Sequence, residues 1–175
     1  MELAAAYPSV PFPDGWKANI RGTDPNLQSP AEWEEARRVK FEQGFTKPGP
    51  INYVGPGPLT EPESLAVYEF TKERNPDLVL AYHTQGEVIY WKFLQMEPPG
   101  SRALAECFSR LSGYAYEDTP YSSGFAGYKD WFIQEYDRPG YTVEVGLGVN
   151  PLPISQFEQI WKDNVGILMQ AAIGI

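Results

Sequence analysis

The chain has very little of the two residue types that most often bind transition metals. Its 175 residues include one histidine, His83, and one cysteine, Cys107. A single cysteine excludes an internal disulfide and any site built from several cysteines. With only one histidine beside it, the chain also cannot form a zinc site made of histidine and cysteine ligands alone. Any metal would therefore need carboxylate ligands or a second chain.

Long apolar runs and basic residues are also scarce. No stretch approaches the roughly 18 unbroken apolar residues that a membrane span requires, so we expect no membrane partner. The first residues lack basic charge and are interrupted by prolines, unlike a signal peptide, so we expect a cytoplasmic protein. Lys and Arg number 14 against 23 Asp and Glu, giving a net charge of −9. This acidic balance argues against nucleic acid as a partner.

The length and composition are typical of one globular domain. A chain of 175 residues with 42% hydrophobic and 14% aromatic residues can fill a single core. We therefore predict a single domain over residues 1–175. Residues 1–28 show no periodicity and are predicted to form an irregular N-terminal segment.

Local patterns predict where the helices begin. Three Ser/Thr-x-x-Glu capping boxes, at Ser29, Thr60 and Ser155, predict helices over about 30–43, over 60–74 and from 155 onward. A fourth helix is predicted over 101–112, where apolar residues recur at helical spacing.

Residues 77–83 are apolar at nearly every position, which is typical of a strand buried on both faces. Residues 87–93 are predicted to form the next strand, and residues 141–145 another strand of the buried type. Helices alternating with such strands predict an α/β fold, with a mixed, partly parallel sheet flanked by helices. Residues 113–130 are aromatic and glycine-rich, and they form a candidate binding loop.

Two polar residues stand out in these strands. His83 ends one of them, and Glu144 lies in another with valine on both sides. Sites in open α/β sheets form at the carboxyl ends of strands, and an ionised carboxylate is costly to bury unless it is paired or functional. Periodicity alone leaves two alternatives open. Either both residues are functional, or His83 is a hydrogen-bonded strand-end residue and Glu144 is a solvated or structural carboxylate.

Four segments carry a resemblance to a known family. The chain reads PDLVLAYHTQGEVIYW at 76–91, GYKDW at 127–131, GYTVEVG at 140–146 and NIRGTDPNLQ at 19–28. Together they resemble the zinc carboxypeptidase (carboxypeptidase A-like) superfamily, and within it the branch that cleaves γ-D-glutamyl-diaminopimelate bonds in peptidoglycan stem peptides. The resemblance covers nearly the whole chain, from about Trp16 onward.

The resemblance implies a role for several residues. His83 matches the family's third zinc ligand, and Glu144, in a Thr-x-Glu strand, matches its general base. Asp130 matches the pocket aspartate that precedes this base by fourteen positions. Asn26 matches a residue that binds the substrate's carboxylate or carbonyl.

Two further residues are candidates for substrate contacts. Lys129, just before the pocket aspartate, occupies the position that lines the pocket for the residue after the cleaved bond. A lysine there could pair with the extra carboxylate of diaminopimelate; the alternative is an exposed loop lysine. Tyr121 is a candidate for the family's mobile, substrate-capping tyrosine, although its spacing to Asp130 is one residue longer than usual and Tyr128 is nearby.

The sequence departs from the family pattern in two places. Leu27 stands where ordinary carboxypeptidases have an arginine that grips a C-terminal carboxylate, and leucine cannot form that bidentate contact. The family's H-x-x-E motif, which supplies two zinc ligands, cannot be present because the chain has one histidine. The chain thus resembles the C-terminal half of the family's catalytic domain, without its N-terminal strands. We expect an exposed sheet edge and possible self-association through it.

These observations predict a metallopeptidase-type hydrolase acting on stem peptides or other peptides, inactive alone because its zinc site is incomplete. Zinc is the implied cofactor, with weak or absent binding expected in this chain by itself. The alternatives are a non-catalytic remnant that binds stem peptides through Asn26, Lys129 and Tyr121, or a fragment without function.

Overall fold

A computed structural model describes residues 2–174. The chain forms two compact units. The first unit comprises residues 1–76 and 120–131, and the second comprises residues 77–119 and 132–175. That residues 1–175 fold as a single domain stays a prediction.

The first unit is built from helices joined by ordered loops. It contains the short helix α1 and the two longer helices α2 and α3. Their bounds are Glu2–Ala5, Trp33–Glu42 and Pro62–Arg74. Two 3-10 turns, Pro25–Leu27 and Tyr121–Ser123, add further order to its loops.

The predicted capping boxes do not start α2 and α3. Glu32, the residue before α2, has a left-handed φ of 48° and makes no side-chain cap hydrogen bond. The residue before α3 is Glu61, again without a side-chain cap. The Thr60 hydroxyl instead bonds the Gln28 side chain and the Gly57 carbonyl. The capping prediction was wrong for both helices, and at Thr60 the reason is that the hydroxyl bonds Gln28 and Gly57 instead.

The second unit contains a four-stranded mixed sheet and two long helices. In chain order its elements are β1 (Val79–His83), β2 (Val88–Tyr90), α4 (Ser101–Ser112), β3 (Ala115–Glu117), β4 (Gly140–Glu144) and α6 (Phe157–Ile173). The helix α5, Tyr128–Tyr136, begins in the first unit and ends in the second.

The strands lie in the order β1-β4-β2-β3. β1 runs parallel to β4, β4 antiparallel to β2, and β2 parallel to β3. This confirms the predicted α/β fold with a mixed sheet flanked by helices.

One face of this sheet forms the core of the second unit. Because neighbouring residues of a strand point to opposite faces, the register divides the sheet side chains into two sets. Ile89, Tyr141 and Val143 are fully buried in a cluster with residues of α4 and α6. The Tyr141 hydroxyl donates to the Ser101 carbonyl at 2.8 Å, and its ring lies edge-on to Phe108 at 5.0 Å. The other face carries the polar residues Thr142 and Glu144 together with apolar side chains such as Val79 and Val88.

The strand predictions were right in position and partly wrong in burial. β4 lies inside the sheet, and most of it is buried, as predicted. β1 was predicted to be buried on both faces, but only Val79 is buried and Tyr82 is 40% exposed. The physical reason is that β1 forms an edge of the sheet among the described residues. Self-association through that edge stays a prediction.

The last helix also begins later than its sequence motif. α6 starts at Phe157, and no side-chain cap precedes it. The side chain of Gln156 is instead bonded to the backbone of Leu147 through both its amide oxygen and its amide nitrogen. Among residues 2–174, no helix has the length and apolar character needed to cross a membrane.

Candidate active site

His83 and Glu144 are brought together by the sheet. They are the last residues of β1 and β4, and they are direct partners in the parallel register. Paired residues on neighbouring strands project to the same face. The imidazole and the carboxylate therefore lie on the same face at one end of the sheet, as a shared site at the strand ends requires. Their chemical roles stay predictions.

This pair lies on the face opposite the apolar core. Both side chains are half-buried, whereas the intervening Val143 and Ile89 are fully buried in the core on the other side. Glu144 is also the antiparallel partner of Val88, and Thr142 is the partner of Tyr90. His83, Glu144, Thr142 and Tyr90 therefore share one partly accessible face. Such a face can offer an acid–base pair to a substrate without interrupting the core.

The strand ends that carry the pair are held by backbone hydrogen bonds. Val145 N–H donates to the His83 carbonyl at 2.8 Å, and Gly86 N–H donates to the Gly146 carbonyl at 2.8 Å. The Asn150 side chain donates to the Thr84 carbonyl at 3.0 Å. These bonds tie the turn after β1 to the segment after β4, so the positions of both functional side chains are fixed together.

Tyr90 is a residue of this face whose position the sequence did not indicate. Its place in an apolar run suggested a core residue. Burial raises the pKa of the Tyr90 hydroxyl, and the negative charges of Glu144 and Glu117 raise this pKa further. The negative charge of Glu144 therefore acts electrostatically on the Tyr90 hydroxyl. Only the strand register, which no single-sequence pattern supplies, could have placed this side chain on the same face as Glu144.

Asn26 is presented at the surface by a turn of the first unit. It is exposed within the 3-10 turn Pro25–Leu27, while the two residues after it, Leu27 and Gln28, are 4% and 0% exposed. Leu27, which replaces the family's arginine, therefore packs in the interior and offers nothing to a ligand. This burial explains how the turn accommodates leucine, since an arginine could not enter the same space uncompensated.

Lys129 and Asp130 form a buried ion pair in the first unit. The Lys129 Nζ lies 2.6 Å from the Asp130 Oδ1, and the side chains are 3% and 4% exposed. The alternative of an exposed loop lysine is therefore wrong, because Lys129 lies in the first turn of α5 and is buried there. Its ammonium group is already neutralised by its sequence neighbour. A substrate carboxylate would have to share it.

Tyr121 is held against α2. Its side chain is 60% exposed, and its hydroxyl donates a short hydrogen bond to the Glu35 carboxylate. Arg38 donates to the same hydroxyl at 3.1 Å and also forms an ion pair with Glu35. Lys40 donates to the Ser122 carbonyl at 2.9 Å. A capping motion of Tyr121 would have to break these contacts with α2.

These contacts predict a measurable change in the titration of Glu35. The hydrogen bonds from Arg38 and then from Tyr121 lower the pKa of Glu35 to about 2. We expect Arg38→Ala to raise this pKa towards the usual value of 4.5, and Tyr121→Phe to raise it less. Carboxyl chemical shifts followed by NMR during an acid titration measure both changes. An unchanged Glu35 pKa in Tyr121→Phe would mean that the tyrosine is not held there in solution.

Known structures show which fold this arrangement belongs to. The chain is similar to bovine thrombin-activatable fibrinolysis inhibitor in complex with tick carboxypeptidase inhibitor, with 15% identity and a TM-score of 0.65 over 91% of this chain and 60% of that one. It is also similar to a crystal structure of thrombin-activatable fibrinolysis inhibitor, with 16% identity and a TM-score of 0.68 over 91% of this chain and 44% of that one. The fold is carboxypeptidase-like.

Sequence comparison gives the family. The zinc carboxypeptidase family model matches residues 15–166, so the chain belongs to that family. It is 51% identical over 155 residues to gamma-D-glutamyl-L-diamino acid endopeptidase 1 of Lysinibacillus sphaericus, covering 89% of this chain and 38% of that protein. It is 46% identical over 156 residues to the uncharacterized protein YqgT of Bacillus subtilis (strain 168), covering 89% of this chain and 40% of that protein. The chain thus spans about two fifths of the length of these relatives.

Zinc, the metal named in the family's description, does not fit the donor groups of this chain. A catalytic zinc site requires three protein ligands and an open position. The chain has one histidine, and the described residues contain no cluster of three or more His, Cys, Asp or Glu that could hold a metal. The face around His83 and Glu144 therefore provides only part of such a ligand set.

Proposed function

We propose that this chain supplies part of the active site of a peptidase that hydrolyses γ-D-glutamyl-diaminopimelate bonds in peptidoglycan stem peptides. The observation that carries the proposal is the register pair His83 and Glu144 on the accessible face of the sheet. The 51% identity to the Lysinibacillus sphaericus endopeptidase supports the substrate class. Leu27, buried beside Asn26, supports it further, because the turn has no guanidinium for an ordinary C-terminal carboxylate.

In this proposal each residue has a separate task. Glu144 accepts the proton of the water that attacks the scissile carbonyl, and His83 is one ligand of a metal site completed outside this chain. Asn26 hydrogen-bonds the substrate from its exposed turn. Lys129, while keeping its contact to Asp130, contributes positive charge near the diaminopimelate carboxylate.

A chimera tests the assignment of Glu144. Residues 15–166 of this chain replace the matching part of the Lysinibacillus sphaericus endopeptidase, which supplies the rest of the relative's length. We expect the chimera to cleave L-Ala-γ-D-Glu-diaminopimelate, and Glu144→Gln to lower kcat by roughly 10²–10⁴-fold because an amide cannot accept the proton. Product release measured by chromatography gives the rates.

The matched control is Glu158→Gln on α6, which neutralises a carboxylate that is 81% exposed. It is expected to leave kcat unchanged. A Glu144→Gln chimera as active as its parent would remove the base assignment. An inactive but folded chimera, beside an active parent endopeptidase, would contradict the proposal that this chain can supply the site.

A second candidate function is peptide binding without catalysis. It is favoured by the incomplete ligand set around His83 among the described residues. The isolated chain would then bind the stem peptide while showing no turnover at any zinc concentration, and the chimera would be inactive as well.

A further inference from the structure

The turn that presents Asn26 is held in place by two buried side chains. Asp24 is 3% exposed and Gln28 is fully buried, whereas Asn26 between them is exposed. Polar side chains are rarely buried this completely unless they are fully hydrogen-bonded. The contacts of Asp24 and Gln28 show what their burial achieves.

Asp24 binds the turn from one side. Its Oδ1 accepts from the backbone N–H of Asn26 at 3.1 Å, and its Oδ2 accepts from the backbone N–H of Asn52 at 3.0 Å. The backbone N–H of Asp24 donates to the Tyr53 carbonyl at 2.8 Å. Burial raises the pKa of this carboxyl, while these two backbone hydrogen bonds and the charges of Lys17 and Lys40 oppose the rise. The carboxylate thus fastens the Asn26 backbone to the 52–53 segment.

Gln28 binds the turn from the other side. Its amide nitrogen donates to the carbonyls of Val54 at 2.5 Å and Gly57 at 3.0 Å. Its amide oxygen accepts from the Thr60 N–H, the Thr60 hydroxyl and the Glu61 N–H at 2.9, 3.1 and 3.2 Å. One side chain therefore bonds five polar groups between Val54 and Glu61, in the loop that precedes α3.

The loop is shaped around that amide. Gly55 has a φ of +83°, and a Cβ there would lie 2.7 Å from the Gln28 amide nitrogen. Only glycine combines this backbone conformation with so close an approach. Gly55 thus allows the loop to pass close to the Gln28 amide.

We infer that Asp24 and Gln28 are positioning residues for Asn26, which fix its backbone so that its side chain is presented to a peptide substrate in one orientation. The inference rests on the proposed role of Asn26 in substrate binding. Neither residue needs to touch the substrate. Their effect on binding should pass through Asn26 and vanish when the Asn26 side chain is removed.

The test is a double-mutant cycle on the 175-residue chain, with L-Ala-γ-D-Glu-meso-diaminopimelate as the probe. Asp24→Asn keeps the side chain's size but turns one of its two acceptors into a donor facing a backbone N–H. We expect about tenfold weaker binding in NMR titrations. We also expect faster amide hydrogen exchange at Asn26 and Asn52. In an Asn26→Ala background, Asp24→Asn should cause no further loss of affinity.

Gln28→Met removes five hydrogen bonds at once and is expected to unfold the loop, so Asp24→Asn is the informative variant. Thr71→Val is the matched control, since it removes buried hydrogen bonds to Val67 and Tyr128 without touching the turn. It should lower the melting temperature and leave the affinity unchanged.

The outcomes separate this inference from the proposed function. If Asn26→Ala binds the peptide as well as the parent chain, the proposed role of Asn26 fails. If Asn26→Ala weakens binding but Asp24→Asn weakens it equally in both backgrounds, Asn26 binds substrate and the positioning role of Asp24 is overturned. A loss in Thr71→Val as large as that in Asp24→Asn would also overturn it.

Discussion

Replacing Lys129 by methionine is expected to destabilise the protein by about 3–5 kcal/mol, because it leaves the Asp130 carboxylate buried without its cation. The two groups lie 2.6 Å apart and are almost inaccessible to water. Removing one partner of such a pair costs far more than the pair contributes, since the remaining charge keeps its desolvation penalty. Urea denaturation followed by tryptophan fluorescence measures the change in the free energy of unfolding.

Two variants identify the cause of this loss. Lys129→Met combined with Asp130→Asn removes both charges and should recover most of the stability. Lys162→Met breaks a pair with Glu158 of similar length, 2.9 Å, but one whose side chains are 62% and 81% exposed. It should cost no more than about 1 kcal/mol. A Lys129→Met chain as stable as the parent would show that the pair is hydrated in solution.

The Lys129–Asp130 ion pair also affects how the proposed preference for diaminopimelate must be tested. A weaker preference for diaminopimelate in Lys129→Met could come from a lost substrate contact or from a disturbed α5. The double variant with Asp130→Asn separates the two causes. If it restores stability but not the preference, Lys129 contributes charge to the substrate as proposed.

The sequence predicted the elements whose local signal agrees with their packing. α4 was predicted with its observed bounds, 101–112, because Leu104, Phe108 and Leu111 recur on one helical face. β4 was predicted as a buried-type strand from the apolar residues Tyr141, Val143 and Val145, and it lies inside the sheet. His83 and Glu144 were assigned to one site by the resemblance to the carboxypeptidase family, and their position at strand ends agrees with the rule that sites form there.

Other features depended on contacts between distant residues. Thr60 carries a capping signature, yet Gln28, 32 positions earlier, takes its hydroxyl. Gln28 itself gave no signal, because nothing in the local sequence marks a glutamine that will be fully buried. The ion pair between Lys129 and Asp130 could not be predicted from the sequence either, since adjacent residues of an exposed helix do not usually face each other. Burial was the missing information in each case.

The isolated chain is expected to bind zinc with a dissociation constant of about 1 μM or weaker. Stable zinc sites need three or four protein ligands with fixed geometry, and His83 is the one imidazole in the chain. The described residues offer it no cluster of further donors that could complete a site. Glu144, its register partner, is a candidate for one oxygen ligand beside the imidazole nitrogen. Each ligand that is absent removes several kilocalories per mole of binding free energy, where about 1.4 kcal/mol is tenfold in affinity.

Isothermal titration of the 175-residue chain with zinc chloride measures the affinity, and two variants locate the ligand. His83→Ala should abolish whatever weak binding is present, whereas Cys107→Ser should leave it unchanged because that thiol lies on α4, away from the strand ends. Stoichiometric nanomolar binding that His83→Ala removes would contradict the prediction and would require further ligands from a second copy of the chain. In that case the zinc-loaded chain should elute as a dimer in size-exclusion chromatography and return to a monomer with a chelator. Weak binding by a monomer instead supports a site completed by residues that the longer relatives carry beyond the matched region.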